Sequence, residues 1–332
     1  MKIFKKILPL LLRISISIIL LFFLFKFQHV DTQEVLKSIK NADKGLLFLA
    51  LVIYSSAYIL CLFRWQMLLK GAKIHLSLKR VIISFSGGVF FNALLPSSIG
   101  GDLVRSIDLA THTKRPREVV ATVLLDRLSG YIGLVIVALL SLLFGWKLIH
   151  HKSVLLSIAI ITGILIAILL VFFNGFIYSK INQLLHSPRS GKIRETIRNL
   201  HQEIHIFRHH KKIIVINLIL SVLIQVIGPL TFYITALSLG IKINIIYFFI
   251  YLPIIGATTL LPISIGGLGL RENITKVFFV QAGVVDNAAV AMAILNTLFI
   301  FIYAGIGGLI YVLTIHHRRI QYNKPHPVRP HP

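Results

Sequence analysis

Six charged side chains stand where charge is costly. Asp102, Arg105, Asp126, Arg127, Arg271 and Glu272 lie within or at the edge of long apolar runs. Hydrocarbon solvates charge poorly, so such groups face a cavity or a partner. Arginine presents a planar fork that grips a phosphate through two parallel hydrogen bonds. A nearby carboxylate can take an amine or carry a coupling proton. The set therefore reads as a lipid-headgroup site, with Arg105, Arg127 and Arg271 on phosphate and Asp102, Asp126 and Glu272 tuning it. An internal alternative uses the same residues, pairing Asp126 with Arg105 and Arg127 with Asp102. Asp126 and Arg127 fall about nine residues into their run, roughly 13 Å deep by helical rise. As neighbours on a helix they point in different directions and do not pair with each other.

The elements that position these groups are two backbone breaks. Leu95-Pro96-Ser97-Ser98-Ile99-Gly100-Gly101, preceded by Asn92, recurs as Leu261-Pro262-Ile263-Ser264-Ile265-Gly266-Gly267 at an offset of 166 residues. Proline removes a backbone donor, and paired glycines reach conformations closed to other residues. Asn92, Pro96, Ser98, Gly100, Gly101, Pro262, Ser264, Gly266 and Gly267 thus predict two pairs of half-helices meeting at membrane depth. Their N-termini would turn N–H groups and a partial positive charge toward an anion. The same offset lays Arg105 on Arg271, but Asp102 on Leu268 and Asp126-Arg127 on Met292-Ala293. The first half is the more polar.

The surrounding chain is built for lipid. It has 332 residues, 56% hydrophobic and only 14% charged, with a mean hydropathy of +0.84. Runs near 20 apolar residues, the length that crosses a bilayer, occur at 7–27, 45–69, 118–145, 152–173, 212–239 and 286–314. The stretches 81–95 and 246–261 are shorter and end in the breaks, which predicts that they enter and leave on one side. The expected fold is all-α and polytopic, with about six full transmembrane helices plus two re-entrant broken-helix elements. One transmembrane domain fills 1–332: an N-terminal anchor at 7–27, repeat 1 at 45–145 and a linking span at 152–173. A basic cytoplasmic amphipathic loop at 174–211, repeat 2 at 212–314 and a basic cytoplasmic tail at 315–332 complete it. Three crossings separate each helix from its copy, so the repeats should be inverted.

Charge distribution supplies orientation. The net charge of +24 would suggest nucleic acid on a soluble protein, but the basic residues lie between apolar runs and no aromatic-basic reading motif accompanies them. With both termini cytoplasmic, roughly 24 Lys and Arg fall inside against about nine outside. That pattern fits a multi-pass protein of a bacterial or archaeal cytoplasmic membrane. Within 189–210, Ile193, Ile197, Leu200, Ile204 and Phe207 alternate with basic residues at helical spacing. This segment reads either as a helix lying in the lipid interface or as a solvated linker.

Other chemistries find little footing. Cys61 is the single cysteine, and the 14 histidines cluster in basic loops without a zinc-binding pattern. There is no Walker A lysine and no dinucleotide fingerprint. No metal, cofactor or recognisable catalytic motif is expected.

The combination Phe63-Arg64-Trp65-x-x-Leu68-Leu69, Phe90-Phe91-Asn92-x-x-Leu95-Pro96-Ser97-Ser98-Ile99-Gly100-Gly101-Asp102-x-x-Arg105 and Leu125-Asp126-Arg127 resembles the transmembrane region of lysylphosphatidylglycerol synthases, among the flippase-like integral membrane proteins. Gly266-Gly267-x-Gly269-x-Arg271-Glu272 is similar to the group's second signature, and the resemblance covers nearly the whole chain. It implies a membrane region that flips lipids, including aminoacylated phosphatidylglycerol. The expectation is this membrane region without the soluble aminoacyl-transferase domain that some synthases carry.

The resulting expectation is a lipid translocase for a phospholipid, aminoacylated or not, or for a polyprenyl-phosphate-linked lipid. Its partners would be anionic or phosphate-bearing membrane lipids and no nucleic acid, with a second copy or a separate lipid-modifying enzyme as further associates. Two alternatives stand beside it. One is an integral-membrane transferase acting on a lipid-linked sugar or amino acid with Asp102 or Asp126 as base. The other is a non-transporting partner of envelope-biogenesis enzymes whose charges are internal ion pairs.

Overall fold

A computed structural model describes residues 2–27, 30–95, 100–148, 152–173, 211–261 and 263–322. Pro96, Ser98, Pro262 and the amphipathic stretch 189–210 lie outside the described residues. The described chain is helical. α1 (Lys2–Phe27) and α2 (Thr32–Asn41) lead to α3 (Lys44–Gly71). Asp31 and Asp43 cap α2 and α3 by accepting from the N–H groups of Gln33 and Leu46, the usual means of satisfying first-turn donors. α4 (Leu78–Leu94), α5 (Gly100–Thr113), α6 (Pro116–Gly145) and α7 (Lys152–Phe173) follow. The second half holds α8 (Lys211–Ser238), α9 (Ile245–Thr259), α10 (Leu270–Gln281) and α11 (Asp286–Tyr322).

Among the described residues five helices are long and apolar enough to cross a bilayer: α3, α6 with its extension to Leu148, α7 to Leu170, α8, and α11 to Thr314. α1 from Leu12 and α2 together make a sixth if the bent pair counts as one span, against the six full spans expected. α4 and α9, at 17 and 15 residues, fall short of the usual crossing length. Each gives way to a break and then to a second short helix.

The two halves share local detail. After α3, the Lys73 and Ile74 N–H groups bond back to the Lys70 and Leu69 carbonyls; after α8, Gly240 and Ile241 bond to Leu237 and Ala236. Lys73 and Gly240 both hold positive φ, 57° and 76°, the left-handed turn that ends many helices. Ser77 and Asn244 then cap α4 and α9. Packing is reciprocal as well: α3 lies on α8, α4 on α11, and α9 on α6.

Small residues make these contacts close. A Cβ on Gly307 would sit 2.8 Å from the Ser86 carbonyl oxygen, while Tyr311 covers Gly87 and Phe90 covers Gly308. Lipid removes most of the hydrophobic drive between helices, so close backbone approach supplies the attraction. Two apolar cores flank the centre. Trp65, Leu69, Val81, Leu109 and Val119 pack in the first half; Phe248, Tyr251, Ile254, Phe279 and Met292 pack in the second.

Candidate functional site

The first break is held by a backbone contact. Asn92 Oδ1 accepts from the Gly101 N–H at 2.9 Å, tying the end of α4 to the start of α5. A Cβ on Gly101 would lie 1.9 Å from the Gly88 carbonyl oxygen, so α4 and α5 fold back on each other only because glycine stands there. This hairpin turns Asp102 and Arg105 inward.

From Asp102 a chain of ion pairs runs through the molecule. Arg127 donates through Nε to Asp102 Oδ2 at 2.5 Å, and Arg105 Nε donates to Asp102 Oδ1 at 3.0 Å. Arg105 Nη2 then reaches Asp126 Oδ2 at 2.9 Å. Asp126 Oδ1 accepts from Arg64 Nε at 2.8 Å, and Arg64 Nη1 ends on the Ser221 hydroxyl at 2.9 Å. The chain crosses α6, α5, α3 and α8. Both carboxylates are doubly occupied by guanidinium groups, and three arginines face two aspartates. Arg105 also lies 4.7 Å from the Trp65 ring centre, a cation–π contact. Its buried Nη1 has no hydrogen-bond partner.

The second break uses three glycines with positive φ: Gly266 at 57°, Gly267 at 79° and Gly269 at 80°. Arg271 Nη2 donates to the Gly266 carbonyl at 3.0 Å, and its Nη1 approaches Thr297 Oγ1 at 3.3 Å. Among the described residues Arg271 forms no ion pair. Glu272 is fully buried, accepting from the Gly269 N–H at 2.7 Å and the Thr297 hydroxyl at 2.6 Å. It fastens the start of α10 to α11 and lines neither cavity described below. α1 braces the same break: Ser17 accepts from the Ile265 N–H, and the Leu20 carbonyl accepts from Asn273.

The two breaks touch. A Cβ on Gly266 would meet the Ala93 carbonyl oxygen at 2.9 Å. Around this junction lie two cavities. One, about 260 Å³, is lined by Arg64, Arg105, Arg127, Asp102, Asp126, Asn92, Cys61, Tyr54 and Tyr58 among others. The second, about 220 Å³, is lined by Arg127, Arg271, Ser264, Gly266, Gly267, Tyr58 and Asn92 among others. Tyr58, Val89, Asn92 and Arg127 border both, so the arginine groups of the two halves face adjoining space. A third hollow of about 400 Å³, almost wholly apolar, lies between α6, α7 and α9.

Of the charged residues expected in one site, Asp102, Arg105, Asp126, Arg127 and Arg271 line this pair of cavities, whereas Glu272 stands behind it. The expected helix starts, open to an anion, are partly closed: Asn92 takes the Gly101 N–H and Glu272 takes that of Gly269. Arg64 is the residue that site reasoning passed over; a charge within span 45–69 was the signal. Tyr54 and Tyr58, with Tyr303 stacked 4.5 Å from Tyr58, form an aromatic wall that no motif announced. No group of three or more His, Cys, Asp or Glu suited to a metal occurs among the described residues.

These features define a polytopic α-helical membrane protein with a buried, arginine-rich centre between two broken helices. The chain belongs to the lysylphosphatidylglycerol synthase TM region family, whose pattern it matches over residues 10–308. It is similar to a UPF0104 membrane protein of Pyrococcus horikoshii, 26% identical over 320 residues that cover 90% of this chain and 93% of the relative. Two UPF0104 membrane proteins of Methanothermobacter thermautotrophicus are 23% and 21% identical, covering 81% and 83% of this chain and 85% of each relative.

Proposed function

We propose that this protein is a lipid translocase of a cytoplasmic membrane, which passes a phosphate-bearing headgroup through the space between two inverted repeats, 45–145 and 212–314. The observation that carries this reading is the joining of the two cavities at Arg127, between two helix breaks that touch at Gly266 and Ala93. Broken helices at the interface of repeats are where membrane transporters place their substrates. The matching turns after α3 and α8 and the reciprocal packing of α4 on α11 and α9 on α6 support the repeat. Rearrangement of the two hairpins about the shared Arg127 would expose the headgroup to either leaflet in turn, with both chain termini on the cytoplasmic side.

The transferase reading needs a free base. Asp102 and Asp126 each give both oxygens to arginines, which speaks against either as that base. The ion pairs also suit a non-transporting partner of envelope enzymes, but such a protein has no use for adjoining cationic cavities.

The test is reconstitution. Proteoliposomes carrying a fluorescent phospholipid should expose the inner-leaflet pool to an external quencher faster with protein than without. Arg127→Gln should lower that rate by about tenfold or more, the scale of a lost charged hydrogen bond. No acceleration with any phosphate-bearing lipid would end the translocase reading.

A further inference from the structure

The lining charge of the two cavities is one-sided. Arg64, Arg105, Arg127 and Arg271 face it, against Asp102 and Asp126 alone. Both aspartates are saturated by guanidinium groups, and the described residues lining the cavity beside the second break include no carboxylate. An ammonium group placed there would meet arginines and find no acceptor of opposite charge. A phosphate would meet the reverse.

Two further observations point to an anion as the ligand. Ser264, 4% exposed, lines the second cavity, yet its hydroxyl makes no hydrogen bond. Arg105 Nη1 is likewise buried and unpartnered beside the first cavity. A buried donor without an acceptor costs free energy that a ligand oxygen would recover. Arg271, which forms no ion pair among the described residues, stands on the same cavity as Ser264.

The ligand's other end is marked by the apolar hollow of about 400 Å³ between α6, α7 and α9. Leu260 and Leu261 border both this hollow and the Arg127–Arg271 cavity. A phosphate on the arginines can therefore continue directly into a hydrocarbon chain lying along Ile161, Leu165 and Ile254. A water-soluble phosphate would leave that half of the surface unused.

We propose that the site between Arg127, Arg271 and Ser264 selects a net-anionic lipid phosphate and rejects aminoacylated lipids, with the chain nearest the phosphate lying in the α6–α7–α9 hollow. This rests on the translocase reading for its biological use, but the site itself is read by binding.

The test measures binding of three probes to the purified full chain in detergent: dioleoyl phosphatidic acid, dioleoyl lysylphosphatidylglycerol and glycerol phosphate. Phosphatidic acid should bind at least about tenfold more tightly than the lysyl lipid, given the value of a charge-assisted hydrogen bond. Glycerol phosphate should bind far more weakly than phosphatidic acid. Arg271→Gln should weaken phosphatidic acid about tenfold or more, and Arg271→Lys by less. Arg271 also braces Gly266, so Ser264→Ala provides a second variant that removes only one donor; a few-fold loss is expected.

Equal or tighter binding of the lysyl lipid would overturn the proposal, as would glycerol phosphate matching phosphatidic acid. So would unchanged phosphatidic acid affinity in both Ser264→Ala and a folded Arg271→Gln protein. Phosphatidic acid bound with these preferences, while neither it nor any other phosphate-bearing lipid moved faster across proteoliposomes, would keep the site and end the translocase reading. Lipid movement accelerated by a protein that bound phosphatidic acid no more tightly than the lysyl lipid would keep the translocase reading and end the site.

Discussion

Arg105 on α5 reaches Asp126 on α6 at 2.9 Å, while the second oxygen of Asp126 takes Arg64 of α3 at 2.8 Å. One carboxylate thus holds the first hairpin to two long helices, with all three side chains buried. In a low-dielectric centre the acid is the cohesive element, because the arginines around it repel one another.

Charge counting then orders two substitutions. Asp126→Asn leaves three arginines on one aspartate and should destabilise the protein by about 3–5 kcal/mol, the range for an orphaned buried charge. Arg64→Met leaves two arginines on two aspartates and should cost less, although it also gives up the bond to Ser221. Thermal unfolding in detergent, followed by intrinsic fluorescence, checks the order. A larger drop for Arg64→Met would mean that Asp126 is not the element that binds the cluster together.

The hairpin contact makes a second prediction about a single methyl group. Gly101→Ala places a Cβ 1.9 Å from the Gly88 carbonyl oxygen. Backbone must move, so a loss of about 1–3 kcal/mol is expected, together with loss of the proposed lipid movement as the Asp102–Arg105 pair shifts. Gly163→Ala, on α7 with nothing within 4 Å of the new atom, should be neutral or slightly stabilising, since alanine is the better helix former. Equal effects of the two variants would remove the argument for a glycine-dependent closure.

Much of this was legible beforehand, for reasons that differ by residue. Proline and paired glycines act on the backbone itself, so the two breaks could be read without knowing what packs around them. The pairings Asp126–Arg105 and Arg127–Asp102 were open to inference because both members sit in adjacent elements. Arg64 was not: it lies 62 residues from Asp126, and only the packing of α3 beside α6 brings them together. Glu272 misled for a related reason. Its charge suggests a ligand, whereas its spacing of three from Gly269 is a local capping arrangement that lacks the usual Ser or Thr signature because the cap residue has no side chain. Ser264 is legible in the sequence as part of a break, but its unpartnered hydroxyl is a property of burial.

Cys61 offers a probe already in place. It is the chain's one cysteine and lines the first arginine cavity. Surplus positive lining charge should concentrate anions there. A sulfonate-bearing methanethiosulfonate should therefore modify Cys61 faster than its trimethylammonium counterpart, by a factor on the order of ten. Intact-mass spectrometry over a time course reads both rates. A faster cationic reagent would contradict the lining charge deduced from the side chains.

The inverted relation proposed for the two repeats can be tested at two equivalent loops. His75 lies between α3 and α4, and Lys242 between α8 and α9; both are exposed and follow the same left-handed turn. On the proposed reading, the chain between them passes the α4–α5 hairpin, re-entrant and returning to its own side, and then the three crossings α6, α7 and α8. The loops should then lie on opposite faces, with His75 expected on the cytoplasmic side from the excess of basic residues there. In a Cys61→Ser background, a membrane-impermeant maleimide should label Lys242→Cys in right-side-out vesicles and His75→Cys in inside-out vesicles. If the hairpin instead spanned the bilayer, the crossing number would become even and both cysteines would label from one face. That result would dissolve the inverted repeat and, with it, the case for alternating access about Arg127.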